Sequence, residues 1–204
     1  MYRPPHFDES DPRLLYEVIE NHGFATLISV AGGAPVVSHI PVFPEQMTAG
    51  KVRLTGHFAR ANDHWRLLDG KTTMTAVFQG PHDYISPRWY DSKGLVPTWN
   101  YIAVHVSGVP EMITDRERTL EILDQLTNAY EQGAKTPWTT TALTDEKIDH
   151  LLKGIVAFEM PVDRIEGKFK LSQNRSDKDR LGVMQGLKNK GNDNALSLSR
   201  WMEK

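Results

Sequence analysis

Between Phe24 and Val109 the chain carries a succession of runs rich in β-branched and aromatic residues: Phe24 to Val30, Pro35 to Val42, Lys51 to Phe58, Thr72 to Phe78 and Ile102 to Val109. Glycine and proline punctuate them. A parallel sheet needs a crossover of a dozen or more residues between successive strands, and the short connections here leave no room for crossover helices. The pattern predicts an antiparallel barrel or sandwich.

Helical spacing brackets this region. Ser10-Asp11-Pro12 followed by Leu14, Leu15, Val18 and Ile19 reads as a capped helix that stops at Asn21 to Gly23. Thr114-Asp115-Arg116-Glu117 has the form of a capping box, and Leu120, Ile122, Leu123, Leu126 and Tyr130 behind it make a broad apolar face running to Gly133. Thr144-Asp145-Glu146 starts a short helix through Leu152, Ile155 to Met160 is a further strand closed by Pro161, and Ser176-Asp177-Lys178-Asp179 opens a helix carrying Leu181, Val183, Met184 and Leu187. Lys188 to Asn194 is polar. The expectation is a mainly β, α+β chain with flanking helices: one domain over residues 1–187 and a polar tail over 188–204.

Composition narrows the functional classes. Lys and Arg number 24 against 26 Asp and Glu, a net charge of -2, which argues against a polybasic nucleic-acid binder. With no cysteine in the chain there is no disulfide, thiolate zinc site, iron-sulfur cluster or cysteine nucleophile. The opening Met1-Tyr2-Arg3-Pro4-Pro5-His6-Phe7 lacks a signal-peptide pattern, and no apolar window is long enough to span a bilayer. A soluble, cytoplasmic protein is expected.

The common catalytic signatures fail. Gly70-Lys71-Thr72 resembles the end of a phosphate loop, but Trp65 stands where the pattern needs glycine. No G-x-G-x-x-G, G-x-S-x-G or H-E-x-x-H occurs. His57 and His64 are too isolated to argue for a metal, so no metal site is assigned.

What remains is a set of unusual segments at the ends of predicted strands, where loops on a rigid sheet carry function. Gly56 to Trp65 brings an imidazole (His57), a guanidinium (Arg60) and a carboxamide (Asn62) into one short stretch suited to a phosphate monoester. Phe78 to Tyr90 is dense in aromatics and prolines. Val96 to Tyr101 enters a strand in which alternation sends Trp99 and Tyr101 to one face and Asn100 to the other. Gly167 to Arg175 sets three cations and three neutral polar side chains, Lys170 and Gln173 among them, before a helix. Together they point to a phosphorylated, flat, polar-edged aromatic ligand, either a nucleotide or a flavin.

Read in order, Met1-Tyr2-Arg3-Pro4, Gly56 to Asn62, Phe78-Gln79-Gly80-Pro81 with Tyr84-Ile85-Ser86-Pro87, Val96 to Tyr101 and Lys170 to Arg175 resemble the PaiB family of FMN-binding negative transcriptional regulators. The likeness runs from residue 1 to about residue 187. One departure is Asp63, where the family pattern leads one to expect Asn-Pro. The resemblance implies an antiparallel split β-barrel of the FMN-binding type, homodimeric, with FMN at the subunit interface. It places the FMN phosphate near His57, Arg60 and Asn62, with Trp99, Asn100 and Tyr101 near the flavin from the partner subunit. Lys170 and Gln173 are assigned to the ring or ribityl chain.

The function implied is flavin-dependent redox work or redox sensing associated with negative transcriptional regulation, which leaves open whether the protein is an FMN-dependent oxidoreductase. Two alternatives stand beside it. One is a direct DNA-binding repressor, which the net charge and the lack of a helix-turn-helix disfavour. The other is a haem-binding or haem-degrading split barrel with His57 or His82 as axial ligand.

Overall fold

A computed structural model describes residues 1–47 and 51–204. In chain order the elements are β1 (Asp8–Glu9), α1 (Pro12–Asn21), β2 (Phe24–Ala31), β3 (Ala34–Gln46), β4 (Val52–Ala59), β5 (Met74–Ile85), β6 (Thr98–Gly108), β7 (Glu111–Ile113), α2 (Arg116–Glu131), α3 (Asp145–Leu152), β8 (Ile155–Pro161), β9 (Arg164–Lys170), α4 (Asp177–Lys190) and α5 (Asp193–Glu203). The described strand pairings are antiparallel. No helix among the described residues is long and apolar enough to cross a membrane. The chain divides into two compact units.

One unit comprises His22–Phe78 and Val106–Ile165. Its centre is the β2–β3 hairpin, closed by Gly32 and Gly33 at φ +57° and +80°, a turn that L side chains adopt only with strain. Register follows from that turn: Ala31 faces Ala34, Ile28 faces Val37 and Phe24 faces Pro41. β4 pairs with β3, β8 with β4 and β7 with β8, while β2 also pairs with the start of β5. Alternation sends Ala25 and Leu27 of β2, Leu54 and Phe58 of β4, and Val156, Phe158 and Met160 of β8 into the core. Helix α2 lays Ile122 and Leu126 on Ala157, with Phe43 and Ile113 packed around them. Its cap is Asp115, which accepts from the Arg118 amide at 2.8 Å, rather than Thr114 of the expected box. Helix α3 begins as the sequence indicates, with the Thr144 hydroxyl accepting from the Lys147 amide.

The other unit comprises Met1–Asn21, Gln79–His105 and Glu166–Lys204. Here β1 pairs with β9, Asp8 opposite Lys168. A Cβ on Gly167 would lie 2.3 Å from Leu15 Cδ2, so the close approach of α1 to β9 requires glycine there. Two expectations are corrected in this unit. Residues 164–170 form strand β9, where the sequence from Gly167 reads only as a polar stretch entering a helix; Glu166, Lys168 and Phe169 are all buried in it, and the charges mask the pattern. Residues 188–204 are not a polar tail. They complete α4 and form α5, capped by Asn192 and burying Ala195, Leu198, Trp201 and Met202, with Trp201 edge-on to Phe169 at 5.4 Å.

Candidate functional site

The residues assigned to a phosphate lie in the first unit described. His57 sits on β4 opposite Ala157, with its Nδ1 buried and, among the described residues, without a hydrogen-bond partner. Burial pushes its imidazole below the ordinary value of 6.5, so near neutral pH it is uncharged and offers a hydrogen bond rather than a cation. Asn62 turns inward. Its carboxamide oxygen accepts from the His64 amide at 3.1 Å, capping the turn Asp63–Leu67, and its Nδ2 donates to Ser38 Oγ at 3.0 Å. Ser38 Oγ also lies 2.9 Å from Nδ1 of His64, which is 1% exposed. Asn62 is thus part of a buried Ser38–His64 network, and burial likewise holds His64 toward the neutral form.

Arg60 stands just beyond β4, and the backbone of the α3–β8 connection fixes its plane. Its Nε donates to the Lys153 carbonyl and an Nη2 hydrogen to the Ile155 carbonyl, each at 2.9 Å, while its own amide donates to the Gly154 carbonyl at 2.8 Å. Trp65 braces it from the side, its indole N–H donating to the Arg60 carbonyl. Arg60 Nη1 makes no hydrogen bond among the described residues. The guanidinium borders a cavity of about 620 Å³ that Arg116 and Lys153 also line, over an apolar floor that includes Met112, Ile113 and Leu152. Arg116 is anchored on Asp149 at 2.6 Å and on Asp145 at 3.3 Å. Of His57, Arg60 and Asn62, the structure brings only Arg60 to this cavity.

The residues assigned to the ring lie in the other unit. Strand β6 separates them as alternation dictates: Asn100 is buried, donating to Ser172 Oγ at 2.9 Å, while Trp99 is 53% exposed. The Trp99 ring has His82 at 6.4 Å and Tyr84 edge-on at 6.2 Å. Tyr101 faces the ammonium of Lys168 at 5.3 Å, and Tyr2 meets the same ammonium at 4.9 Å. Lys170 Nζ donates to the Trp99 carbonyl at 2.5 Å and to Thr98 Oγ1. Burial, then repulsion from Lys168 and Arg175, lowers its pKa below the ordinary lysine value. Gln173 points away from a ligand role: it closes its own turn, accepting from the Leu171 amide at 2.7 Å and donating to the Phe169 carbonyl at 2.5 Å. A second cavity, of about 340 Å³, is lined by His82, Asp83, Trp99 and Asn192 to Asn194.

Sequence reasoning missed Arg116 and Lys153, which reach Arg60 only through the fold, and Ser38, for which no local signal exists. Among the described residues no group of three or more His, Asp or Glu side chains is placed to hold a metal ion.

The chain is similar over its whole length to the "Protease synthase and sporulation protein PAI 2" of Bacillus subtilis, 34% identical over 203 residues, covering 100% of this chain and 97% of the relative. An uncharacterized protein of Emericella nidulans is 29% identical over 170 residues, covering 69% of this chain and 68% of the relative. Among solved structures, the FAD and heme binding protein of Mycobacterium smegmatis superposes with a TM-score of 0.63 at 17% identity, over 84% of this chain and 78% of that one. The flavocytochrome Anf3 of Azotobacter vinelandii gives 0.65 at 13% identity, over 89% and 78%. These two share the fold, a mainly antiparallel sheet with helices. The family described as "Putative FMN-binding domain" matches residues 1–164, and by that match and the full-length relative the chain belongs to this FMN-binding, PaiB-type family.

Proposed function

We propose that the protein binds FMN at the interface of a homodimer and uses it for redox work or redox sensing connected to negative transcriptional regulation. The observation that carries the reading is the cavity bordered by Arg60, Arg116 and Lys153. A phosphate dianion needs several cationic donors at once, and a guanidinium whose plane is already fixed loses little freedom on gripping one. The apolar floor suits the less polar part of a ligand. Family membership makes FMN the phosphate-bearing ligand of choice, while the name of the Bacillus relative speaks only of protease synthesis and sporulation.

Across the homodimer interface from the phosphate, the ring would be met by the exposed indole of Trp99, which has His82 and Tyr84 beside it. Bound FMN would supply electron and hydride transfer. The chain would supply stacking from Trp99 and positive charge from Lys170, which favours a reduced, anionic ring. Lys170→Ala then lowers the flavin midpoint potential.

A dimer is supported by an unpartnered apolar stripe on the β2–β3 hairpin. Phe24, Val30 and Val37 are 69%, 61% and 51% exposed, and cross-strand register places Pro41, Pro35 and Ile28 beside them. A twofold axis through such a stripe pairs it with itself. The absence of cysteine is in keeping with a reducing cytoplasm.

The test compares FMN with riboflavin, which lacks the phosphate, by fluorescence titration. FMN binding tenfold or more tighter than riboflavin, with the gap closed in Arg60→Ala and Arg116→Ala, supports the reading; equal affinities in the parent protein overturn the phosphate assignment.

A further inference from the structure

Asp83 lies near the end of β5 and is 4% exposed. Its Oδ1 accepts from the Tyr84 amide at 2.7 Å and from Lys190 Nζ. Its Oδ2 is buried and has no hydrogen-bond partner among the described residues. A carboxylate oxygen left in this state is costly, because desolvation removes its water hydrogen bonds and nothing replaces them. The residue lines the 340 Å³ cavity together with Trp99, His82 and the first residues of α5.

The remaining walls define what would satisfy that oxygen. Trp99 offers a flat apolar face. His82 Nδ1 lies 3.2 Å from the Gly80 carbonyl and 3.4 Å from Gln79 Nε2, which ties the imidazole to its own strand. Asn192 caps α5 through the Ala195 amide, so the amides of Asp193 and Asn194, in the first turn, have no intrahelical acceptor. The cavity therefore combines a stacking face, a buried acceptor and free backbone donors. A planar heterocycle with an N–H between two carbonyls complements it.

We infer that this cavity recognises the pyrimidine edge of the flavin ring, with Asp83 Oδ2 accepting the ring N3–H and the amides at the start of α5 donating to the flanking carbonyls. The inference rests on the flavin reading above and extends it to Asp83 and helix α5, neither of which is among the residues that carry the family resemblance. It gives α5, which lies beyond the 164 residues matched by the family, a role in choosing the ligand.

The test uses two flavins and two proteins. FMN and its 3-methyl derivative, which has no N3–H to donate, are titrated against the full chain and against Asp83→Asn. The expected result is FMN binding about tenfold tighter than 3-methyl-FMN in the parent protein, with the difference reduced severalfold in Asp83→Asn because the charge-assisted hydrogen bond is gone. Equal affinities of the parent for the two flavins overturn the assignment of this edge while leaving flavin binding intact. Failure of the parent to bind either flavin overturns the flavin reading, and this inference with it. Asp83→Asn keeps the side-chain shape, and a melting curve shows that the variant is folded before titration.

Discussion

The Asn100 carboxamide donates to Ser172 Oγ at 2.9 Å, and Ser172 holds a φ of +63°, the one described non-glycine residue in the left-handed region. A strand residue beside the exposed Trp99 is thereby tied to the turn that follows Lys170. Left-handed backbone costs a non-glycine residue about 1–2 kcal/mol, so the hydrogen bond accompanies a local strain. Ser172→Ala keeps the strain and strands a buried N–H, and a loss of about 1–3 kcal/mol in urea unfolding is expected. Ser172→Gly relieves the strain and should lose less. Equal losses in the two variants would contradict this account.

Glu45 is held between two arginines, Arg53 at 2.7 Å and Arg118, which also reach Glu159. Burial alone would raise its carboxyl, but hydrogen bonds from Arg53, Arg118 and Gln125 outweigh that and lower it from 4.5 to about 2. A folded-state value below the unfolded one means the stabilisation is present above pH 4.5 and is lost as the pH falls toward 2. At about 1.4 kcal/mol per pH unit this is on the order of 3 kcal/mol. Denaturant unfolding from pH 6 to pH 2 should show the fall, and Glu45→Gln should flatten it.

Gly182 and Gly186 sit one turn apart on α4 and make a groove for Trp89. A Cβ on Gly186 would lie 2.3 Å from the indole, and one on Gly182 would lie 2.0 Å from the Trp89 carbonyl. Alanine is favoured over glycine in a helix by about 1 kcal/mol, yet Gly186→Ala should destabilise by about 1–3 kcal/mol because the indole must move. In Trp89→Ala the same substitution should be neutral or stabilising. A thermal-melt double-mutant cycle without coupling would contradict the packing.

Deletion of residues 191–204 removes Leu198, Trp201 and Met202 from the core. At about 1.5–3 kcal/mol for each large apolar side chain, the loss is roughly 5 kcal/mol or more, comparable with the whole stability of many domains. The truncated chain should be insoluble or lack a cooperative melt. A parent-like melting temperature would show that α5 contributes no packing.

Much of this architecture is legible in the sequence where local chemistry decides it. The run Lys51 to Phe58 becomes Val52–Ala59, and the Thr144 and Ser176 caps open α3 and α4 as read. The split of Trp99 from Asn100 follows from strand alternation alone. What stays hidden depends on partners far along the chain. Strand β9 buries Lys168 against Tyr2 and Tyr101, an arrangement that its own charged sequence argues against. Helix α5 is short and follows a polar stretch, so its apolar positions carry little weight until Phe169 is beside Trp201. In the candidate site, Lys170 meets Trp99 across 71 positions, and Asn62 meets Ser38 across 24. Arg116 and Lys153 join Arg60 only when α2, α3 and β8 are folded, which is why a three-residue motif captured one wall of the cavity and missed the others.

The central claim is flavin binding, and the most direct measurement is an absorbance and fluorescence titration of the purified full chain with FMN, run beside Arg60→Ala and Trp99→Ala. Saturable binding at about one FMN per chain is expected, with affinity reduced at least tenfold in each variant. No saturable binding by the parent protein, of FMN or of any other flavin, would contradict it.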